Sequence, residues 1–165
     1  MKNALKWGFL LGIASLIWLY LAYWAGLHTG GMGKFNLFML GWLALNIIGY
    51  VFAMKAIRKS YDREAWTWFR GLRLAGAMAA TVAAFAIIAQ IGYWKVIHPD
   101  WPNYLVEQSR IHFEKQGLSE TDLQTAVEQT RTALTLPKYA VQSAASHFLL
   151  GILLSAITLI FMRDR

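Results

Sequence analysis

Hydrophobic positions along this chain gather into four long runs that contain no Asp, Glu, Lys or Arg: Trp7 to Leu27, Phe35 to Met54, Leu74 to Trp94 and Tyr139 to Met162. Crossing a hydrocarbon core takes about 20 mostly apolar residues in a helix, so each run predicts one membrane span. Between the third and fourth runs the pattern changes. Residues 98–138 are rich in charge and carry two shorter helix signals. Asp100 is placed to cap a first helix, with Trp101 and Pro102 in its opening turn, that extends to about Lys115 and stops at Gly117. Ser119, with Asp122 three residues on, approximates a capping box and opens a second helix, which Pro137 ends before the fourth span. The apolar faces are Leu105, Ile111 and Phe113 on one helix and Leu123, Val127 and Leu134 on the other. They predict an amphipathic helical hairpin that packs on itself, on the bilayer or on another protein.

The pattern therefore predicts an all-α membrane protein: an antiparallel four-transmembrane-helix bundle forming one membrane domain over residues 1–165, with a helical insert at 98–138. Between spans one and two, Gly30, Gly31 and Gly33 suit a tight reversal because glycine accepts positive φ. The Gly33-Lys34 pair does not make a phosphate-binding loop, which needs a Gly five residues earlier and a Ser or Thr after the Lys; His28 and Phe35 stand there. The basic start and apolar run of Met1 to Leu27 look like a signal peptide. The run is too long, however, and Tyr20, Tyr23 and Trp24 occupy the place of a small-residue cleavage site, so the segment reads as a retained span.

Composition moves in the same direction, with 57% apolar and 15% charged residues against about 45–50% and 25% in soluble domains. The absence of Cys excludes disulfides, thiolate metal sites and thiol nucleophiles. Charge placement then sets an orientation. Lys2, Lys6, Lys55, Arg58, Lys59, Arg63, Arg70, Arg73, Arg163 and Arg165 flank one side of the spans with only Asp62, Glu64 and Asp164, so that side holds the whole net charge of +7. Lys and Arg are enriched in cytoplasmic loops, which puts both termini in the cytoplasm and the 98–138 insert outside, in a bacterial inner membrane. A pI near 9.8 then needs no nucleic acid, because basic residues beside spans are attracted to anionic lipid. Trp66, Trp68 and Phe69 place the inner loop at headgroup depth. Membrane lipids are the expected partners, together with a protein partner or a second copy of the chain.

Candidate chemistry is sparse. No span holds a carboxylate, Lys or Arg, and none is interrupted by Pro, which argues against ion-coupled transport through a midplane site. The polar side chains left within spans are Asn46, Gln90, Gln142, Ser143, Ser146 and His147, read as interhelical or ligand contacts. Gln142, Ser143 and Ser146 share a helix sector with His147. A Ser and a His on one helix lack the orienting acid and oxyanion site of a hydrolase, and no nucleophile elbow is present. His98 with Asp100, and His112 with Glu114, have a spacing that points the two side chains of each pair apart, unlike converging zinc ligands. The expectation is no catalytic, cofactor or metal site. Gly8 and Gly12, Gly76 with Ala79 and Ala83, and Gly151 with Ser155 mark faces of close helix approach, either within the chain or to a second subunit.

Several short segments carry a resemblance: Lys2-Asn3-Ala4-Leu5-Lys6-Trp7-Gly8, Asp100-Trp101-Pro102, Glu114-Lys115-Gln116-Gly117-Leu118-Ser119-Glu120 and the late Gly151. The chain resembles the bacterial domain-of-unknown-function family numbered 4199, small four-span proteins with a charged helical insert before the last span. The resemblance covers nearly the whole chain and implies fold and topology, but no activity. Two functions follow as expectations. One is a structural or accessory membrane subunit that is not an enzyme. The alternative is a small transporter or lipid-handling protein whose path lies between spans three and four near Gln90, Gln142 and His147.

Overall fold

The computed structural model describes residues 1–28, 32–62 and 66–162, and these contain helices and turns without a strand. The α-helices are α1 (Lys2–Trp24), α2 (Met32–Lys59), α3 (Trp68–Gly92), α4 (Trp101–Lys115), α5 (Glu120–Ala133) and α6 (Leu136–Phe161), and a π-helical turn, Tyr93–Ile97, continues α3. Four segments are long and apolar enough to cross a membrane: α1, α2, α3 with its π-turn, and α6. Gly30 and Gly31 of the expected reversal, and Arg63, Glu64, Arg163, Asp164 and Arg165 of the charge pattern, lie outside the described residues.

Helix ends depart from the apolar runs for local reasons. α1 stops before Leu27 because Gly26 takes φ +67°. The Gly26 N–H then donates to the Tyr23 carbonyl and the Leu27 N–H to the Ala22 carbonyl, each at 2.9 Å, the paired bonds of a Schellman ending. Gly26 thus ends α1, and Gly33 sits inside α2. At the other end of the pattern, α2 and α3 reach into the basic segment, to Lys59 and from Trp68, since Lys and Arg are good helix formers and backbone pairing does not stop where charge begins. Pro137 does not end α5. That helix closes at Ala133, and Pro137 occupies the first turn of α6, where a missing N–H costs little.

The chain divides into two compact units, one comprising Met1–Ala86 with Ser143–Arg165 and the other Ile87–Gln142. In the first, α1 packs along α2, and the principal core joins Ala4 and Leu11 of α1, Tyr50 to Ile57 of α2, Leu74 to Val82 of α3 and Leu159 of α6. Span three is the most enclosed, with 39% of its most apolar stretch buried against 22% for α2. Leu40, Ile48 and Phe52 of α2 are exposed, surface that suits lipid contact. The small residues explain the close approaches. A Cβ on Gly8 would stand 2.8 Å from the Met78 carbonyl oxygen of α3. One on Gly151 would run into Tyr50 of α2 and stand 2.9 Å from the Ala79 Cβ. Gly8, Gly12, Ala79, Gly151 and Ser155 are all buried within this unit, whereas a Cβ on Gly76 would meet only Ile152, at an ordinary 3.9 Å.

In the second unit α4 packs against α5, burying Val106 and Leu123 while Leu105, Ile111, Phe113, Val127 and Leu134 are half-buried. Gly117, with φ +74°, makes the turn between them. The Ser119 hydroxyl caps α5 by accepting the Asp122 N–H at 3.3 Å. Asp100 occupies the cap position of α4, but its side chain makes no capping bond. Tyr93, His98, Trp101 and Tyr104 form an aromatic cluster where the π-turn meets α4, with the Trp101 and Tyr104 rings stacked 5.5 Å apart.

Candidate functional site

A polar seam between α2 and α6 is the feature of the first unit most able to carry function. Residues four apart share one face of a helix. Trp42, Asn46 and Tyr50 therefore make one stripe on α2, and Ser143, His147, Gly151 and Ser155 make another on α6. The stripes meet. The Trp42 indole N–H donates to His147 Nε2 at 3.1 Å, with the two rings 5.0 Å apart and nearly perpendicular, and two turns further along Tyr50 lies over Gly151.

The partners assign the tautomer of His147. Its Nδ1 stands 2.8 Å from the Ser143 carbonyl oxygen, which can only accept, so Nδ1 carries the proton and Nε2 is free to accept from Trp42. Both ring nitrogens are thereby engaged, and neither has a lone pair to offer a metal or a substrate while the pair holds. Asn46 is buried, but its amide N–H donates to the Trp42 carbonyl of its own helix at 2.8 Å instead of crossing to a neighbour. That bond steadies the backbone from which the Trp42 ring projects.

The remaining sequence candidates are less closely gathered. Ser143 supplies its backbone carbonyl to His147, and Ser146 and Gln142 are exposed on α6. Gln90 is half-buried near the end of α3 and, like Gln142, belongs to the second unit. Ala83 is half-buried. Of the outer His-acid pairs, His112 meets Gln116 at 3.0 Å and Glu114 pairs with Arg110 at 2.9 Å, so the two side chains of that pair serve different partners. Among the described residues no three of His, Asp and Glu gather into a metal-binding group.

Two members of the seam were not legible as candidates. Trp42 and Tyr50 carry no charge and stand within a mostly apolar span, so neither stands out. The available signal was their four-residue spacing around Asn46. Tyr50 and Ser155 are both fully buried, and neither hydroxyl has a hydrogen-bond partner among the described residues. A buried hydroxyl left unpaired costs about 1–3 kcal/mol, so the deep half of the seam carries unused hydrogen-bonding capacity.

The Trp42–His147 bond should behave as a structural link. Membrane-embedded hydrogen bonds contribute about 0.6–2 kcal/mol. A double-mutant cycle of Trp42→Phe and His147→Leu, followed by unfolding in micelles, is expected to give a coupling energy of about 1 kcal/mol. A coupling near zero would show that the bond contributes nothing to stability.

Four apolar helices and a seam used for helix contact mark an all-helical protein of the multi-pass membrane type. The family model described as "Protein of unknown function (DUF4199)" matches residues 6–164, and the chain belongs to that family. No curated protein and no solved structure matches it.

Proposed function

We propose that the protein is a structural or accessory subunit of a bacterial inner membrane: an antiparallel four-span bundle with cytoplasmic termini and an extracytoplasmic helical hairpin, α4–α5, presented to a partner. The observation that carries this reading is the engagement of His147. The one imidazole placed in the seam has both nitrogens committed to helix–helix and local bonds, which leaves packing as its use and argues against enzymatic chemistry there. The antiparallel arrangement is supported by contacts at matching ends. The Asn3 amide near the start of α1 donates to Ser60 Oγ just past the end of α2 at 3.0 Å. Gly71 near the start of α3 lies against Leu159 near the end of α6.

Orientation rests on the gathered positive charge, and because the chain has no Cys it can be tested cleanly. A cysteine at Ser119 is expected to react with an impermeant thiol reagent in intact cells and one at Ser60 to remain unlabelled; the opposite pattern would reverse the topology. Native mass spectrometry of the protein extracted in mild detergent tests the role itself. A stoichiometric protein partner supports the accessory reading. A monomer or homodimer holding a defined lipid or small molecule supports the alternative, transport or lipid handling. The Tyr50 and Ser155 hydroxyls, without a hydrogen-bond partner among the described residues, support that second reading at the α2–α6 seam, beside the expected path between spans three and four near Gln90, Gln142 and His147.

A further inference from the structure

The first half of α6 is polar on two sides. One side, Ser143 and His147, belongs to the seam with α2. The other holds Gln142 and Ser146, one turn apart, both exposed and neither engaged in a hydrogen bond among the described residues. Leu149 and Leu153 continue that side and are exposed as well, at 66% and 55%. Leu136–Phe161 is one helix, so these four residues form a single stripe along it. Their spacing of four, three and four residues is that of a coiled-coil contact line.

Lipid is a poor cover for this stripe. Ser146 stands seven residues past Tyr139, where the apolar run begins, or about 10 Å along the helix, which places it inside a hydrocarbon core about 30 Å thick. A hydroxyl or amide left unpaired there costs free energy that water would otherwise offset. A second copy of the chain supplies what lipid lacks. The same charge pattern directs the insertion of every copy, so two copies share one orientation. The two-fold axis relating them then runs along the membrane normal and sets each residue of α6 beside its own equivalent at the same depth. Amides and hydroxyls both donate and accept, so Gln142 and Ser146 are each self-complementary. A charged side chain would repel its equivalent, and the stripe has none.

We propose that the protein forms a parallel homodimer through this side of α6, in which Gln142 and Ser146 hydrogen-bond their equivalents in the second copy and Leu149 and Leu153 pack against theirs. Interhelical bonds of polar side chains are the usual glue of membrane helices, where apolar surface alone gains nothing over lipid. The proposal requires only that α6 lies in a bilayer. It stands or falls separately from the accessory-subunit reading, since a dimer and a further partner exclude neither each other nor the α2–α6 seam.

The test uses the full chain, which has no cysteine of its own. Oxidation in native membranes is expected to link Ser146→Cys and Leu149→Cys into disulfide dimers, because a disulfide needs Cα atoms within about 7 Å and a two-fold helix contact brings equivalent residues that close. Ile48→Cys and Phe52→Cys, exposed on α2, should stay unlinked. In micelles, sedimentation equilibrium should show Gln142→Leu with Ser146→Ala weakening self-association about tenfold. The unfolding curve of the monomer should not move, since neither side chain makes a bond within the described chain. Should the double variant fail to fold, the cysteine comparison decides. Linking as frequent at Ile48→Cys as at Ser146→Cys, a chain that stays monomeric at every ratio of protein to detergent, self-association unchanged by the double substitution, or a different protein captured by the cysteine at position 146 would each overturn the proposal.

Discussion

Valine at position 151 is expected to lower the unfolding free energy of the protein in micelles by about 2–3 kcal/mol, read from its SDS or denaturant unfolding curve. The reason is that two helices close on Gly151 from different sides. An added Cβ would overlap the Tyr50 hydroxyl, and it would stand 2.7 Å from the Tyr50 Cζ and 2.9 Å from the Ala79 Cβ. Tyr50 and Ala79 are both fully buried, so neither has room to retreat without carrying its backbone along. The atom nearest the new Cβ is the Tyr50 oxygen, which supplies an internal check. Tyr50→Phe alone removes a buried hydroxyl with no partner among the described residues, and it should be neutral or stabilising by about 1 kcal/mol. Combined with Gly151→Ala it should recover more than the two single changes predict, because the substitutions share one contact. A marked loss of stability from Tyr50→Phe would mean that the hydroxyl is hydrogen-bonded in the membrane, to water or a ligand, and would shift weight to the transport reading.

The spans were legible because their signal is strong and one-dimensional: an apolar run long enough for a bilayer has few other uses. Their ends were less so, since a helix stops where the backbone turns and not where charge resumes. Gly26 ends α1 through a left-handed φ that no apolar run encodes. The insert was readable at Ser119, whose cap bond forms as its spacing implies, and less so at Asp100, which holds the position without the bond. For the seam the difficulty was different in kind. Spacing reveals which face of a helix is polar but not which neighbour that face meets. Gln142, Ser143, Ser146 and His147 lie within five residues and look like one group, yet in the structure His147 turns to Trp42 of α2 while Gln142 and Ser146 stay exposed. Four neutral polar residues on a span are compatible with many partners. The bond between Trp42 and His147, more than a hundred positions apart in sequence, exists only once the helices are packed.

That limit also explains why the small residues of α1 can be interpreted only with the fold in hand, and it leads to the largest expected effect. Leucine at Gly8 should destabilise the protein by about 3 kcal/mol or more, beyond the usual range for overpacking, because the obstacle is backbone. A Cβ there would lie 2.8 Å from the Met78 carbonyl oxygen and 2.7 Å from the Thr81 Cβ, so α1 must move away from α3 as a whole. Lipid supplies no hydrophobic push to bring separated helices back together, which makes lost packing hard to offset. A Cβ on Gly12, one turn on, would stand 2.5 Å from the Phe85 ring, and that obstacle is a side chain, half-buried and packed edge-on against Phe9. Phe85→Ala should therefore relieve Gly12→Ala substantially and leave Gly8→Ala almost unrelieved. Gly33 provides the opposing sign. It is helical and exposed with nothing within 4 Å of its would-be Cβ, so alanine there should stabilise by up to about 1 kcal/mol through helix propensity alone. If Gly8→Ala stabilised the protein as Gly33→Ala does, α1 and α3 would not be in close contact, and the arrangement of the first unit would have to be revised.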